Sequence, residues 1–217
     1  MRVTGMPISD TLPDYDAALA ECLATAVPAR GLGGIIQSYA FVRQMRYFSG
    51  PDRTPLTALR TGRGACTAKH IILRDLLRRV GARAEVEVVE GDFAAAIPLH
   101  ASQSPGLQAM IRAGGVTDFH CRVRLIGPDT DRRLDATWPS ALAAYGFATG
   151  RGWTGTGDTV QAMPDAIVRA TPEDVLGTKA RYLATLGQAA TTRRLEFLRL
   201  LSDWMAGLDM QTTRGEA

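Results

Sequence analysis

No run of eighteen apolar residues occurs anywhere in the 217-residue sequence, so no membrane-crossing helix is expected. Blocks of lysine or arginine are missing too. The 25 basic and 22 acidic residues leave a formal charge of +3, with the arginines scattered along the chain. Following a phosphate backbone or a lipid surface takes clustered charge, so neither nucleic acid nor membrane is an expected partner. The opening stretch MRVTGMPISDTLPDYD lacks a basic region followed by an apolar one. It does not read as a secretory leader, and the expected location is cytoplasmic. Cysteine is scarce and odd in number. Cys22, Cys66 and Cys121 cannot all pair within the chain, so three reduced thiols are expected. Repeats and low-complexity linkers are missing as well, and residues 1–217 read as a single domain. The remaining composition, 46% hydrophobic and 22% charged, suffices for one buried core.

The apolar spacing predicts helices over 14–27 and 34–48, separated by Pro28 and the glycine-rich ARGLGG. SGPDRTP reads as a loop. A third helix should run from Cys66 to Val80 and stop at Gly81. Ile72, Leu76 and Val80 form one stripe on it and Leu73 and Leu77 a second, so it should be central. ARAEVEVVE alternates as a strand over 83–90. Residues 91–117 form a long connection with a short helical piece at GLQAMIRAG, the kind of segment that often serves as a lid or binding loop. FHCRVRLI and RRLDATW read as an antiparallel hairpin around GPDT. TPEDV opens the first of two C-terminal helical segments, with Thr171 as N-cap.

Chemistry concentrates at GRGACTAKHIILRDLLRRVG, residues 62–81. A cysteine at a helix N-terminus meets unpaired N–H groups and the positive end of the dipole, which favour thiolate. Such a nucleophile needs a base. His70 shares the helix of Cys66, and His100 lies in the long connection. His120 stands on a strand whose polar side it shares with Arg122 and Arg124, while Phe119, Cys121, Val123 and Leu125 face the core. On the partner strand Leu134, Ala136 and Trp138 face the core, which puts Asp135 and Thr137 on the polar side. A four-residue turn pairs residues whose numbers sum to 257 and sets His120 opposite Thr137, diagonal to Asp135. A tighter turn sets His120 opposite Asp135. Either register brings imidazole and carboxylate together. A sulfur roughly 3–4.5 Å from the other ring nitrogen would complete a nucleophile–base–orienter set. Cys22 reads as core, and so does Cys121.

This order of motifs resembles the transglutaminase-like superfamily. GRGACTAKHIILRDLLRRVGARAEV is similar to its nucleophile segment, FHCRVRL to its histidine strand and LDATWP to its aspartate strand. The likeness covers about residues 55–140 and is nearest to uncharacterised bacterial members. It implies an α+β, papain-like core in which the nucleophile helix packs on an antiparallel sheet, flanked by helical extensions at 14–48 and 171–208. It also implies Cys66 as nucleophile, His120 as general base and acid, and Asp135 as orienting residue. The oxyanion site would use the Cys66 N–H with Gln44 or Tyr47, and Lys69 and His70 become candidate substrate contacts. The expected activity is acyl transfer through a thioester, by an amidase, peptidase or acyltransferase acting on a peptide or small-molecule amide. No cofactor is expected, and the sequence shows no acidic cage for calcium. A rival reading is an idle member that keeps the cleft for binding. A zinc site from Cys66, His70, His120 and Cys121 is disfavoured, because neighbours on a strand point to opposite faces.

Overall fold

The computed structural model describes residues 11–208. The first ten residues, on which the leader reading rests in part, lie outside it. Helices α1 (Thr11–Thr25) and α2 (Gly31–Gln44) open the chain, each beginning and ending about three residues before the periodicity suggested. Helix α2 stops early because the next residues turn extended. Strand β1 (Arg46–Tyr47) pairs in parallel with β2 (Arg63–Gly64). Between these strands lies a helix the loop reading passed over, α3 (Pro55–Thr61). Its signals are local: Thr54 caps it by accepting the Thr57 N–H, Pro55 opens it, and Gly62 ends it at φ +63°.

Helix α4 (Cys66–Arg79) follows directly, with Val80 as C-cap and Gly81 left-handed beyond it. It is the central helix. Ile72, Leu73, Leu76 and Leu77 are all fully buried. They pack with α1 and α2 on one side and against one face of a four-stranded sheet on the other.

That sheet contains β3 (Arg83–Asp92), β4 (Thr117–Ile126), β5 (Arg132–Leu134) and β6 (Ile167–Ala170), in the order β5-β4-β3-β6 with every pairing antiparallel. The architecture is therefore α+β, with the cysteine helix packed on an antiparallel sheet. Strand β6 was not foreseen; its four residues are mostly exposed and carry no alternation. In the hairpin Val123 faces Leu134 and Leu125 faces Arg132, the register whose sums are 257.

Period-two alternation divides the sheet faces. Ala84, Val86 and Val88 of β3 and Phe119, Cys121, Val123 and Leu125 of β4 turn towards α4. The opposite face changes character along its length. At one end Glu87 and Glu85 stand directly across from Arg122 and Arg124 and pair with them at 2.8 and 2.6 Å. At the other end Val89 enters a second core with Phe93, Trp138, Phe147, Phe197 and Leu201. Part of that core comes from the 91–117 connection, which carries α5 (Pro105–Ala113), and part from the C-terminal α7 (Gln188–Ala206). Ahead of α7 runs α6 (Val175–Leu183). Its N-cap is Asp174, whose carboxylate accepts the Gly177 N–H at 2.9 Å, and not Thr171 three residues earlier. Among the described residues no helix is long and apolar enough to cross a membrane.

Candidate active site

Cys66 is the first residue of α4. Its N-cap, Ala65, has no side chain that could take the first-turn N–H groups, so the positive end of the helix is left to the cysteine. Three features hold this turn in place. Gly62 supplies the left-handed step out of α3. The β1–β2 pairing ties Gly64 to Tyr47. Gly64 also has to be small, since a Cβ there would lie 2.9 Å from that of Ala58.

His120 and Asp135 meet on the face predicted from alternation. The imidazole Nε2 lies 2.8 Å from Oδ2 of Asp135. Asp135 is not a strand residue, however. Strand β5 ends at Leu134, and Asp135 lies just past the ladder, anchored by bonds of its own. Its carboxylate accepts the Ala162 N–H at 2.8 Å, the Thr137 N–H at 3.0 Å and the Thr137 hydroxyl at 2.6 Å. Its own N–H donates to the Thr159 hydroxyl at 2.7 Å. Burial would raise the Asp135 pKa, but the charge and hydrogen bond of His120 hold it well below the usual carboxylate range. Phe93 stacks on the imidazole at 5.9 Å between centroids.

Helix α4 lies on the Cys121 face, whereas His120 points to the other. The flank of β4 beside His120 is unpaired because the chain leaves the ladder after Leu134. Nδ1 of the imidazole is buried there with no hydrogen-bond partner.

A fourth group at the sulfur comes from far along the chain. Lys179, on α6, places its ammonium 3.3 Å from Cys66 Sγ. Both residues are only 4% exposed. The hydrogen bond with Cys121, then the charges of Lys179 and His120, hold the Cys66 thiol well below its ordinary value despite burial. Burial works against the His120 cation, yet Asp135 and Cys66 raise it to about 10. Burial also opposes the Lys179 charge, and Cys66 again more than compensates. Cys121 goes the other way, pushed well above its usual value by its bond to Cys66 and by burial. The surroundings of Cys66 thus favour its thiolate, with the Lys179 ammonium in contact at 3.3 Å, while Cys121 donates to the Thr67 hydroxyl at 3.8 Å.

Lys69 and His70, the candidate substrate contacts, both turn inward. Lys69 is fully buried, and its ammonium donates to the carbonyls of Met45 at 2.7 Å, Thr137 at 2.8 Å and Arg43 at 3.3 Å. Burial pulls it down to about 7, and the Asp135 charge opposes the fall. His70 accepts the Ala136 N–H at Nε2, 2.9 Å away, so Nδ1 carries the hydrogen and donates it to the Cys66 carbonyl at 2.8 Å. These two residues bind the first turn of α4 to the segment carrying Asp135. Of the two oxyanion candidates, Gln44 is exposed and donates to Ser140. Tyr47 is buried beside Phe93 and Trp138, and its phenol is raised first by burial and next by the Cys66 charge. His100 bonds to Ser102, away from the sulfur.

His70, His120 and Asp135 offer ligand atoms within 4.8 Å of one another. Nε2 of His70 already receives the Ala136 N–H, and Nε2 of His120 already meets Asp135. A metal ion shared by the three would have to displace both of these bonds; Nδ1 of His120 is the one ring nitrogen of the trio that has no hydrogen-bond partner.

No family model matches the chain, and no curated protein does. Among solved structures, it is similar to one from Cytophaga hutchinsonii described as "a putative cysteine protease", at 13% identity and a TM-score of 0.39. The match covers 63% of this chain and 45% of that one.

Proposed function

We propose that the protein is a cysteine-dependent acyl-transfer enzyme of transglutaminase-like type. The single observation that carries the reading is the buried constellation at Cys66: a sulfur at a helix N-terminus with an ammonium 3.3 Å away, in the same buried site as an imidazole that a carboxylate fixes at 2.8 Å. In this reading Cys66 attacks an amide carbonyl and forms a C–S bond while the carbonyl electron pair moves to oxygen. His120 gives its proton to the departing amine, and a thioester remains. His120, now neutral, then takes a proton from water or from an acceptor amine, which attacks the thioester and restores the thiolate. Water makes the enzyme an amidase or peptidase, and an amine makes it an acyltransferase. Asp135 keeps the ring oriented and its cation stable. The substrate class is a peptide or small-molecule amide.

The test is intact mass after incubation with a panel of small amides and peptides, followed by peptide mapping. An acyl adduct on Cys66 that is absent from Cys66→Ala is expected. Adducts on Cys22 or Cys121 alone would remove the mechanism. A second reading, a binding protein with an idle site, is favoured by one observation: Cys66, His120 and Asp135 are all more than nine-tenths buried. That reading predicts no adduct with any acyl donor.

A further inference from the structure

Lys179 raises a question that a resting thiolate does not answer. Its ammonium is buried, and the groups acting on its charge are Cys66, Cys121 and Asp118. Asp118 is engaged elsewhere: its Oδ1 takes the Arg194 guanidinium and the Phe119 N–H. Cys121 donates its thiol hydrogen to the Thr67 hydroxyl at 3.8 Å. The Cys66 thiolate is therefore the anion that balances Lys179, at 3.3 Å. Attack on a carbonyl removes that anion, because the sulfur of the tetrahedral intermediate is uncharged. A buried ammonium then faces a neutral sulfur, a costly arrangement unless the charge has moved somewhere within its reach.

The charge does move. When the C–S bond forms, the carbonyl electron pair passes to oxygen, which two covalent bonds place within about 3 Å of the sulfur. A donor 3.3 Å from the sulfur can follow it by a small side-chain rotation. An N–H···S contact of that length is weak, whereas N–H···O⁻ to an ammonium is short and charge-assisted. The interaction thus strengthens as the reaction proceeds, which is the requirement for catalysis. The unclaimed N–H groups at the start of α4 supply the other donors. Gln44, the side chain first suggested by the sequence, faces away.

We infer that Lys179 is a catalytic residue: its ammonium, with the Cys66 N–H, forms the oxyanion site for the tetrahedral intermediate. This rests on Cys66 acting as an acyl-accepting nucleophile.

The experiment compares two reactions of Cys66. Iodoacetamide alkylates by displacement at a saturated carbon and forms no oxyanion. p-Nitrophenyl acetate acylates through one, releasing p-nitrophenolate. Wild type, Lys179→Met, Lys179→Gln and Lys179→Arg are each assayed where thiolate absorbance at 240 nm is complete and rates are linear in reagent. Circular dichroism checks the fold, and intact mass and mapping confirm that Cys66 is the site. Lys179→Met and Lys179→Gln should lose about 10²-fold or more in acylation beyond any loss in alkylation, the effect of one oxyanion donor. Lys179→Arg should recover most of it. Equal losses with both reagents would reduce Lys179 to a thiolate stabiliser and overturn the inference. Wild-type protein that alkylates at Cys66 but never acylates would instead overturn the proposed function, and the inference with it.

Discussion

At the scale of the residue, the site is a set of charges that exist because of one another. The depressed Cys66 pKa and the raised His120 pKa have opposite consequences for pH. Cys66 stabilises the fold above its unfolded value, near 9, and loses that contribution as pH falls through its depressed value. His120 contributes fully below 6.5 and loses its contribution as pH rises through about 10. The ion pair persists between the two folded values. The rate of Cys66 alkylation should therefore stay flat from neutral pH to about 9, where an ordinary thiol rises tenfold per unit. In His120→Ala the rise should reappear at higher pH, because one of the two cations is gone. A wild-type profile that rises like a free thiol would show that the pair is absent. Under the proposed function, Cys66→Ala and His120→Ala should each lower turnover by at least about 10³-fold, with the double variant little worse than either. Steady-state rates on the substrate found by mass would check this.

At the scale of the element, the hairpin and the C-terminal helices fared differently when read from sequence. The pairing of His120 with Asp135 was legible because period-two alternation and a four-residue turn together leave few registers. That β5 would stop at Leu134 was not, since LDAT continues the alternation and only tertiary bonds to Thr159 and Ala162 draw Asp135 off the ladder. Lys179 was invisible for another reason. It reaches Cys66 from 113 residues away, and nothing local in VLGTKARYL distinguishes it from a solvated lysine. Helix α3 was legible in principle, with a cap, a proline and a terminating glycine, but the two prolines and Gly50 suggested a loop. Helix α7 is locked to β4 by the buried pair Arg194–Asp118. Arg194→Ala should cost about 3–5 kcal/mol in urea unfolding, because it leaves a carboxylate buried without its partner. The exposed pair Arg60–Asp14 is a useful contrast. Arg60→Ala should cost under about 1 kcal/mol.

At the scale of the whole molecule, the two cores lie on opposite faces of one sheet, and the site lies where they meet at the flank of β4. Cys66 is only 4% exposed, so its sulfur meets reagent only when its surroundings open locally. The alkylation rate should consequently level off at high iodoacetamide concentration, at a ceiling set by opening. A rate that stays linear at every concentration would mean that the sulfur is open at rest. Lys69 carries this interdependence furthest. Two of its three carbonyl partners, Arg43 and Met45, belong to the C-terminal end of α2 and the third, Thr137, to the strip after β5, so neither segment can satisfy the ammonium alone. A chain that docked the hairpin one register off would strand a cation in its interior. Lys69 works as a checkpoint on assembly: Ala136, whose N–H reports the hairpin side through His70, should exchange its amide hydrogen with the same opening free energy as the first helical bond of α4, from the Lys69 N–H to Ala65. The nucleophile and its base would then be lost, and regained, in a single cooperative event.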